Sequence, residues 1–441
     1  MPLRLDARAP DFRRRFDAFV AARRETPEDV TSAVAGIIAD VRKRGDEAVL
    51  ALTRRFDRLN ADTVASLRVG AAEVDASMAA TPRATLDALD LAATRIEAYH
   101  RRQKPQDQSW QDESGVALGW RWTPVEAAGI YGPGGTAAYP SSVLMNAIPA
   151  KVAGVERVAM VVPAPDGHLN PLVLAAARRA GVDEIWRVGG AQAVAALAFG
   201  TESIRPVDKI VGPGNAYVAE AKRQVFGVVG IDSIAGPSEI LVVADRDSDP
   251  DWIAADLLSQ AEHDVASQSV LIADDAGFAE RVVAAVDALL ARLPRAAIAG
   301  KSWRDNGAVI LVRDIEKDAP ALVDALAPEH VELAVADPAP LAQRIRNAGA
   351  IFLGRQTPEA IGDYVAGSNH VLPTSRAARH ASGLGVLDFM KRSSIVGCDA
   401  RATRLIGPAA VALAEAEGLE AHAQSVRLRL AGARTGDGTE R

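Results

Sequence analysis

The chain has 441 residues, 49% of them hydrophobic and 24% charged, which is ordinary globular usage and enough for about two or three domains. Its formal net charge is −7. A surface of that sign repels nucleic-acid phosphates and anionic lipid and so excludes both as bulk partners, and no run of about 18 apolar residues is present to span a membrane. The single cysteine, Cys398, excludes an internal disulfide and suits a reducing compartment. The N-terminus is arginine-rich, but Asp6, Asp11 and Asp17 interrupt it and no apolar core follows. A leader peptide is therefore not expected, and the expected location is cytoplasmic.

From Pro27 to about His100, apolar residues recur at three- and four-residue spacing, which predicts helices. Thr26 as N-cap, Pro27 at the first position and the acids Glu28 and Asp29 mark one start, and Gly45 marks an end. A polar run over 101–115 leads to a strand-like stretch around Trp120 and Trp122. After Ala128 the texture alternates. Strand 158–162 precedes a helix opened by Asn170 and Pro171 and closed by Gly181; strand 184–188, helix 191–199, strand 209–211 and helix 215–225 follow. A second block runs through strand 239–244, helix 250–262, strand 269–273 and a helix from Gly277. It continues with strand 308–312, helix 315–326, strand 331–335, helix 338–348 and strand 350–353.

This alternation predicts an α/β fold: two doubly wound, Rossmann-like parallel-sheet domains with helical N-terminal and C-terminal extensions. The expected divisions are a helical region over 1–127, part of it packing with the second domain, a first α/β domain over 128–235, a second over 236–385, and a helical tail over 386–441. The joint is expected at 230–237, and the chain from Ala431 onward is polar and frayed.

Histidine is scarce, with seven in the chain, so placement is informative. His100 and His168 sit in polar contexts and His380 in a basic one, which reads as surface. Gln260 and His263 lie three residues apart near a helix end, either sharing a metal or merely solvated. Asp363 and His370 fall in GDYVAGSNHVLPT, a stretch too rich in glycine, serine and asparagine for a regular helix, which makes either a functional loop or a self-satisfied turn. Glu329 and His330 stand at the mouth of a strand, where only an irregular start aims both at one site; otherwise they are a surface glutamate and a half-buried histidine. Glu417 and His422, five residues apart, share a face only if Gly418 breaks the helix between them. Two glycine-rich turns, YGPGG from Tyr131 and VGPGNAY from Val211, sit beside strands, the second in the geometry that offers amides to an anion. Neither is the GxGxxG fingerprint, so neither identifies a cofactor.

Nine segments in order, among them YPSSVLMNAIPAKVAGV, DKIVGPGNAYVAEAKR, GIDSIAGPSEILVVAD, LLSQAEHD, LAPEHVEL, GDYVAGSNHVLPT and EGLEAHAQSV, closely resemble the histidinol dehydrogenase family over about Ala128 to Leu430. The resemblance implies oxidation of L-histidinol to L-histidine in two NAD-dependent steps through a held aldehyde. It implies zinc held by Gln260, His263, Asp363 and His422, with His330 as the base for the hydride-transfer steps and Glu329 as activator of water. Ser238, His370 and Glu417, with the zinc ligands and His330, are similar to positions that contact substrate, and Tyr131, Gln192 and Asn215 to positions that contact NAD. In this family the C-terminal tail reaches the partner's site in a homodimer, so His422 and Glu417 would act in trans. Zinc accepts imidazole and amine nitrogen well, and four protein ligands plus two substrate nitrogens would make six, an orienting rather than a redox role. Cys398 has no nearby base in sequence and reads as structural, which disfavours a thiol mechanism. One departure stands out: Gly132 replaces a valine expected between Tyr131 and Pro133, loosening a turn near the presumed cofactor site. The competing readings are a zinc dehydrogenase of another small alcohol, such as a sulfonated diol, a zinc hydrolase using Glu329, and a non-catalytic binding module.

Overall fold

The structure is a computed structural model that describes residues 1–22, 28–134, 139–234 and 236–432. The helix start expected at Thr26 and Pro27 lies outside the described residues, as do Gly135, Ala235 of the expected joint, and the tail from residue 433. Among the described residues the strands are β1 (Leu3–Asp6), β2 (Gln108–Gln111), β3 (Ala117–Pro124), β4 (Ala127–Tyr131), β5 (Arg157–Val161), β6 (Glu184–Trp186) and β7 (Lys209–Val211). They continue with β8 (Gly230–Ile231), β9 (Glu239–Ala244), β10 (Gln268–Ala273), β11 (Ala308–Leu311), β12 (His330–Ala334), β13 (Ala350–Leu353) and β14 (Met390–Gly397).

Residues 1–103 and 126–389 form one compact unit holding two parallel sheets. The first has the order β6-β5-β4-β7-β8 and the second β1-β11-β10-β9-β12-β13. Every residue of β4 and β9 is buried, as expected of parallel strands covered by helices on both faces. Helices Gly190–Phe199 and Ala216–Val225 pack with the first sheet, and helices Pro250–Ala261 and Ala276–Leu290 cover one face of the second. This is the doubly wound α/β architecture anticipated from the alternation.

The N-terminal segment divides between the sheets. β1 pairs in parallel with β11, Leu3 opposite Ala308, and Leu5 and Phe16 enter the second core. Helices Glu28–Arg44 and Asp46–Phe56 send Val34, Ile38 and Leu52 into the first. The strand at residues 3–6 carries only two apolar positions, too short a run to stand out from the helical region that follows.

Residues 104–125 and 390–441 form a second unit. Its antiparallel sheet has the order β14-β3-β2, with Arg392 opposite Trp122, and helices Ala400–Ala416 and Glu420–Gly432 pack on one another. The C-terminal stretch, read as helical, thus opens with a strand, because β3 supplies a partner that local sequence does not reveal. Cys398, read as structural, is exposed. Among the described residues, no helix is long and apolar enough to cross a membrane.

Candidate active site

Helix Ile315–Leu326 stops at Ala327, whose φ of 46° is left-handed, and Pro328 follows. The chain therefore enters β12 through an irregular turn. β12 pairs with β9 in the register His330 to Ile240, which brings Glu329 and His330 to the backbone of one residue, Glu239. The Glu239 N–H donates to Glu329 Oε2 at 3.0 Å, and His330 Nδ1 lies 3.0 Å from the Glu239 carbonyl oxygen. A carbonyl can only accept, so Nδ1 carries a proton and Nε2 is the nitrogen left to gain or lose one. Both side chains are buried, not surface groups. Ser238, half-buried, immediately precedes Glu239.

His330 Nε2 faces Asp363 Oδ1 at 3.6 Å and Glu359 Oε1 at 3.7 Å. Nε2 and Asp363 Oδ1 are both buried with no hydrogen-bond partner among the described residues. The donor atoms of His330, Glu359 and Asp363 lie within 4.8 Å of one another, a group able to hold a metal ion. Gln260, wholly buried at the end of helix Pro250–Ala261, donates its amide nitrogen to Glu359 Oε1 at 2.7 Å once the amide is oriented by its neighbours. His263 follows the helix and feels the charges of Asp363 and His330. His370 places Nδ1 3.0 Å from the Asp363 carbonyl oxygen and Nε2 3.2 Å from Ser142 Oγ.

Gln260, His263, Ser238, Glu329, His330, Asp363 and His370 thus lie within one unit, around the Glu239 backbone and the carboxylates of Glu359 and Asp363. Glu417 and His422 belong to the other unit, where both are exposed. Gly418, with a φ of 73°, does separate helix Ala400–Ala416 from helix Glu420–Gly432.

Two expectations need correction. Asp363 lies not in an irregular loop but in a short helix, Glu359–Tyr364, despite its glycine. That helix is why Glu359 was missed: four residues apart on a helix, Glu359 and Asp363 share a face, and the spacing is visible in PEAIGD once a helix is granted. His100, read as surface, is wholly buried; its Nδ1 bonds the Ile96 carbonyl, and Asn369 bridges its Nε2 to the Met145 carbonyl. Together they pin the chain beside His370.

The electrostatics follow from burial. Burial pushes Glu329 up to about 8 against the pull of His330. Burial opposes charge on His330, but Glu359, Glu329 and Asp363 outweigh it and raise its pKa well above the ordinary imidazole value. Burial likewise raises Glu359, to about 7, and lowers His263 and His370. Such opposed shifts in one buried group are characteristic of functional sites.

Two residues along β12, Glu332 shares a hydrogen bond with Asp256. Burial above all raises both, Glu332 to about 9 and Asp256 to about 6. A carboxyl raised in the folded state stabilises it fully below the unfolded value, and that contribution is lost as pH rises through the folded one. Stability is therefore expected to fall between about pH 5 and 9. Glu332→Gln, neutral at every pH, should melt about 2–5 °C higher than the parent at pH 8.5 and show little gain at pH 5; equal shifts at both pH values would contradict the shared proton.

A cavity of about 1270 Å³ opens beside this cluster, lined by Tyr131, Gln192, Asn215, Asp57 and Tyr139 among others. The Tyr139 ring lies 6.1 Å from that of His263, linking cavity and cluster. Both amide atoms of Gln192 are buried and, among the described residues, lack partners. The Gly190 N–H donates to Tyr131 Oη at 2.8 Å, and burial raises the phenol's pKa. Asn215 Oδ1 accepts from Tyr217 N and Val218 N, so the last amide of the VGPGNAY turn and the one after it are taken by the chain itself rather than offered to an anion. Gly132 is not in open space: a Cβ there would stand 3.1 Å from Met160 Sδ and 3.3 Å from the Val161 carbonyl oxygen.

The histidinol dehydrogenase profile matches residues 20–430. Histidinol dehydrogenase of Rhodospirillum rubrum is 66% identical over 98% of this chain and 99% of its own, and that of Rhizobium meliloti 62% identical over the same shares. The crystal structure of histidinol dehydrogenase from Elizabethkingia anophelis superposes with a TM-score of 0.93 at 35% identity, covering 98% of this chain and 99% of that one. The chain belongs to the histidinol dehydrogenase family. As a member it is an NAD-dependent oxidoreductase of histidine biosynthesis, in a family that works with a metal.

Proposed function

We propose that this protein oxidises L-histidinol through L-histidinal to L-histidine, reducing one NAD in each step. The observation that carries the proposal is His330 Nε2: buried, aimed by the Nδ1 bond to the Glu239 carbonyl, without a hydrogen-bond partner among the described residues, and facing Asp363. In the first step Nε2 takes the alcohol proton as hydride leaves the carbinol carbon for the nicotinamide. In the second, Glu329 takes a proton from water as the water oxygen adds to the aldehyde carbon and His330 returns its proton to the aldehyde oxygen; the hydrate then gives up hydride to a second NAD while the again neutral His330 takes a hydroxyl proton.

Gln260, His263 and Asp363 would hold zinc together with His422. Imidazole, amide oxygen and carboxylate are ligands zinc accepts, and the orphaned Asp363 Oδ1 fits such a role. When bound, the ion supplies a fixed anchor for the imidazole and amine of the substrate and offsets the surrounding carboxylates, so that His330 can stay neutral. Ser238, His370 and Glu417 would complete the substrate pocket. Tyr131, Gln192 and Asn215 would hold NAD, Gln192 through its two unpartnered amide atoms.

His422 and Glu417 would come from the partner of a homodimer. Their exposure supports this, as do the exposed Ile395, Val396, Leu405, Leu413 and Leu428 of the same unit. A biosynthetic enzyme with one exposed, unpaired cysteine fits the cytoplasm.

Purified protein given histidinol should reduce two NAD per histidine formed, lose turnover on chelation, and recover best with zinc rather than manganese or cobalt. Absence of reduced nicotinamide would refute the proposal in favour of a hydrolase; turnover unaffected by exhaustive chelation would refute the metal site.

A further inference from the structure

Gly212 directly follows β7 and begins the turn 212–215 that lines the cavity through Pro213, Gly214 and Asn215. Its φ is 117°, and a Cβ would stand 2.5 Å from the Tyr131 carbonyl oxygen, so only glycine lets this turn lie against β4. What fixes the turn is unusual. The Gly212 N–H donates to Asp232 Oδ2 at 2.8 Å, and its carbonyl accepts from Lys222 Nζ at 2.9 Å. Lys222 and Asp232 form an ion pair whose side chains are 1% and 4% exposed. Lys222 reaches back from helix Ala216–Val225, and Asp232 follows β8, so one ion pair clamps the two peptide units that flank Gly212 from two elements.

A buried ion pair is weak evidence for stability, since well-packed apolar residues often replace one without loss. Its worth here lies in direction. Each charge grips one polar group of Gly212, which fixes the two peptide planes that meet at its Cα and so the direction in which Pro213, Gly214 and Asn215 extend. We propose that Lys222 and Asp232 are positioning residues of the cofactor site, setting the turn against which the dinucleotide binds. The proposal rests on reading the cavity as the NAD site.

The test is Lys222→Met combined with Asp232→Leu, which removes both charges and leaves neither stranded. The apparent KM for NAD and its Kd from fluorescence titration are expected to rise at least tenfold, the scale of a roughly 1 Å misplacement or less, while kcat at saturating NAD and KM for histidinol change less than about threefold. A folded double variant that binds NAD like the parent overturns the proposal, as does one that loses kcat and both KM values together. Should the double variant not fold, Asp232→Asn is measured instead, since it keeps an acceptor for the Gly212 N–H but weakens the hold on Lys222. NAD KM is then expected to rise at least about threefold, and an unchanged value overturns the proposal. Gln192→Ala and Asn215→Ala separate the two levels. If they too leave NAD binding intact, the cavity is not the cofactor site. If they weaken it and the ion-pair variants do not, only the positioning role fails.

Discussion

His330→Asn is expected to lower kcat for both oxidations by about 10²–10⁴-fold, the range a positioned general base supplies, with KM for NAD nearly unchanged. The substitution is chosen from the geometry. Asn can keep a donor toward the Glu239 carbonyl, replacing the Nδ1 bond at 3.0 Å, but presents nothing basic where Nε2 faces Asp363. Fold and cofactor cavity should therefore survive while proton removal does not. Turnover is checked with histidinol and, separately, with histidinal, alongside a thermal melt. A folded variant within a factor of about ten of the parent on both substrates would remove His330 from the base role.

Glu329→Gln should divide the reaction. Gln still accepts from the Glu239 N–H in place of Oε2 at 3.0 Å, so the strand entry holds. Water must be deprotonated only for the aldehyde. Histidinal oxidation is expected to fall about 10²–10³-fold further than histidinol oxidation, with aldehyde trappable by a carbonyl reagent. The pH dependence gives a second reading. Burial raises Glu329 to about 8, and only its ionised form can act as base. The aldehyde half-reaction of the parent should therefore rise with pH until the carboxyl titrates near 8, and the variant should lose that limb. Equal losses in both half-reactions, or a pH limb that persists in the variant, would assign the water-activating role elsewhere.

The α/β architecture was legible because most strands of the two sheets after Ala128 are short apolar runs bounded by helix signals such as Asn170 and Pro171 opening and Gly181 closing; the two-residue β8 at 230–231, within the stretch read as a joint, is too short to show. What local pattern did not show depended on partners distant in sequence. β1 becomes a strand only against β11, and β14 only against β3. At the site, histidines and carboxylates drew notice as residue types, and the family resemblance singled out the set. Glu359 escaped because the glycines, serine and asparagine after Asp363 suggested a loop, hiding the four-residue spacing that a helix turns into proximity. Nothing in the sequence shows that Asp232 arrives to pair with Lys222 and bury it.

The pairing of β1 with β11 also bears on how the molecule comes into being. Residues 3–6 leave the ribosome long before their partner at 308–311 has been translated. The first sheet, complete by residue 231, can close during synthesis, whereas the second must wait with one edge open. Shortening the N-terminus past Phe16 would leave that edge bare permanently, a template for adhesion between newly made chains.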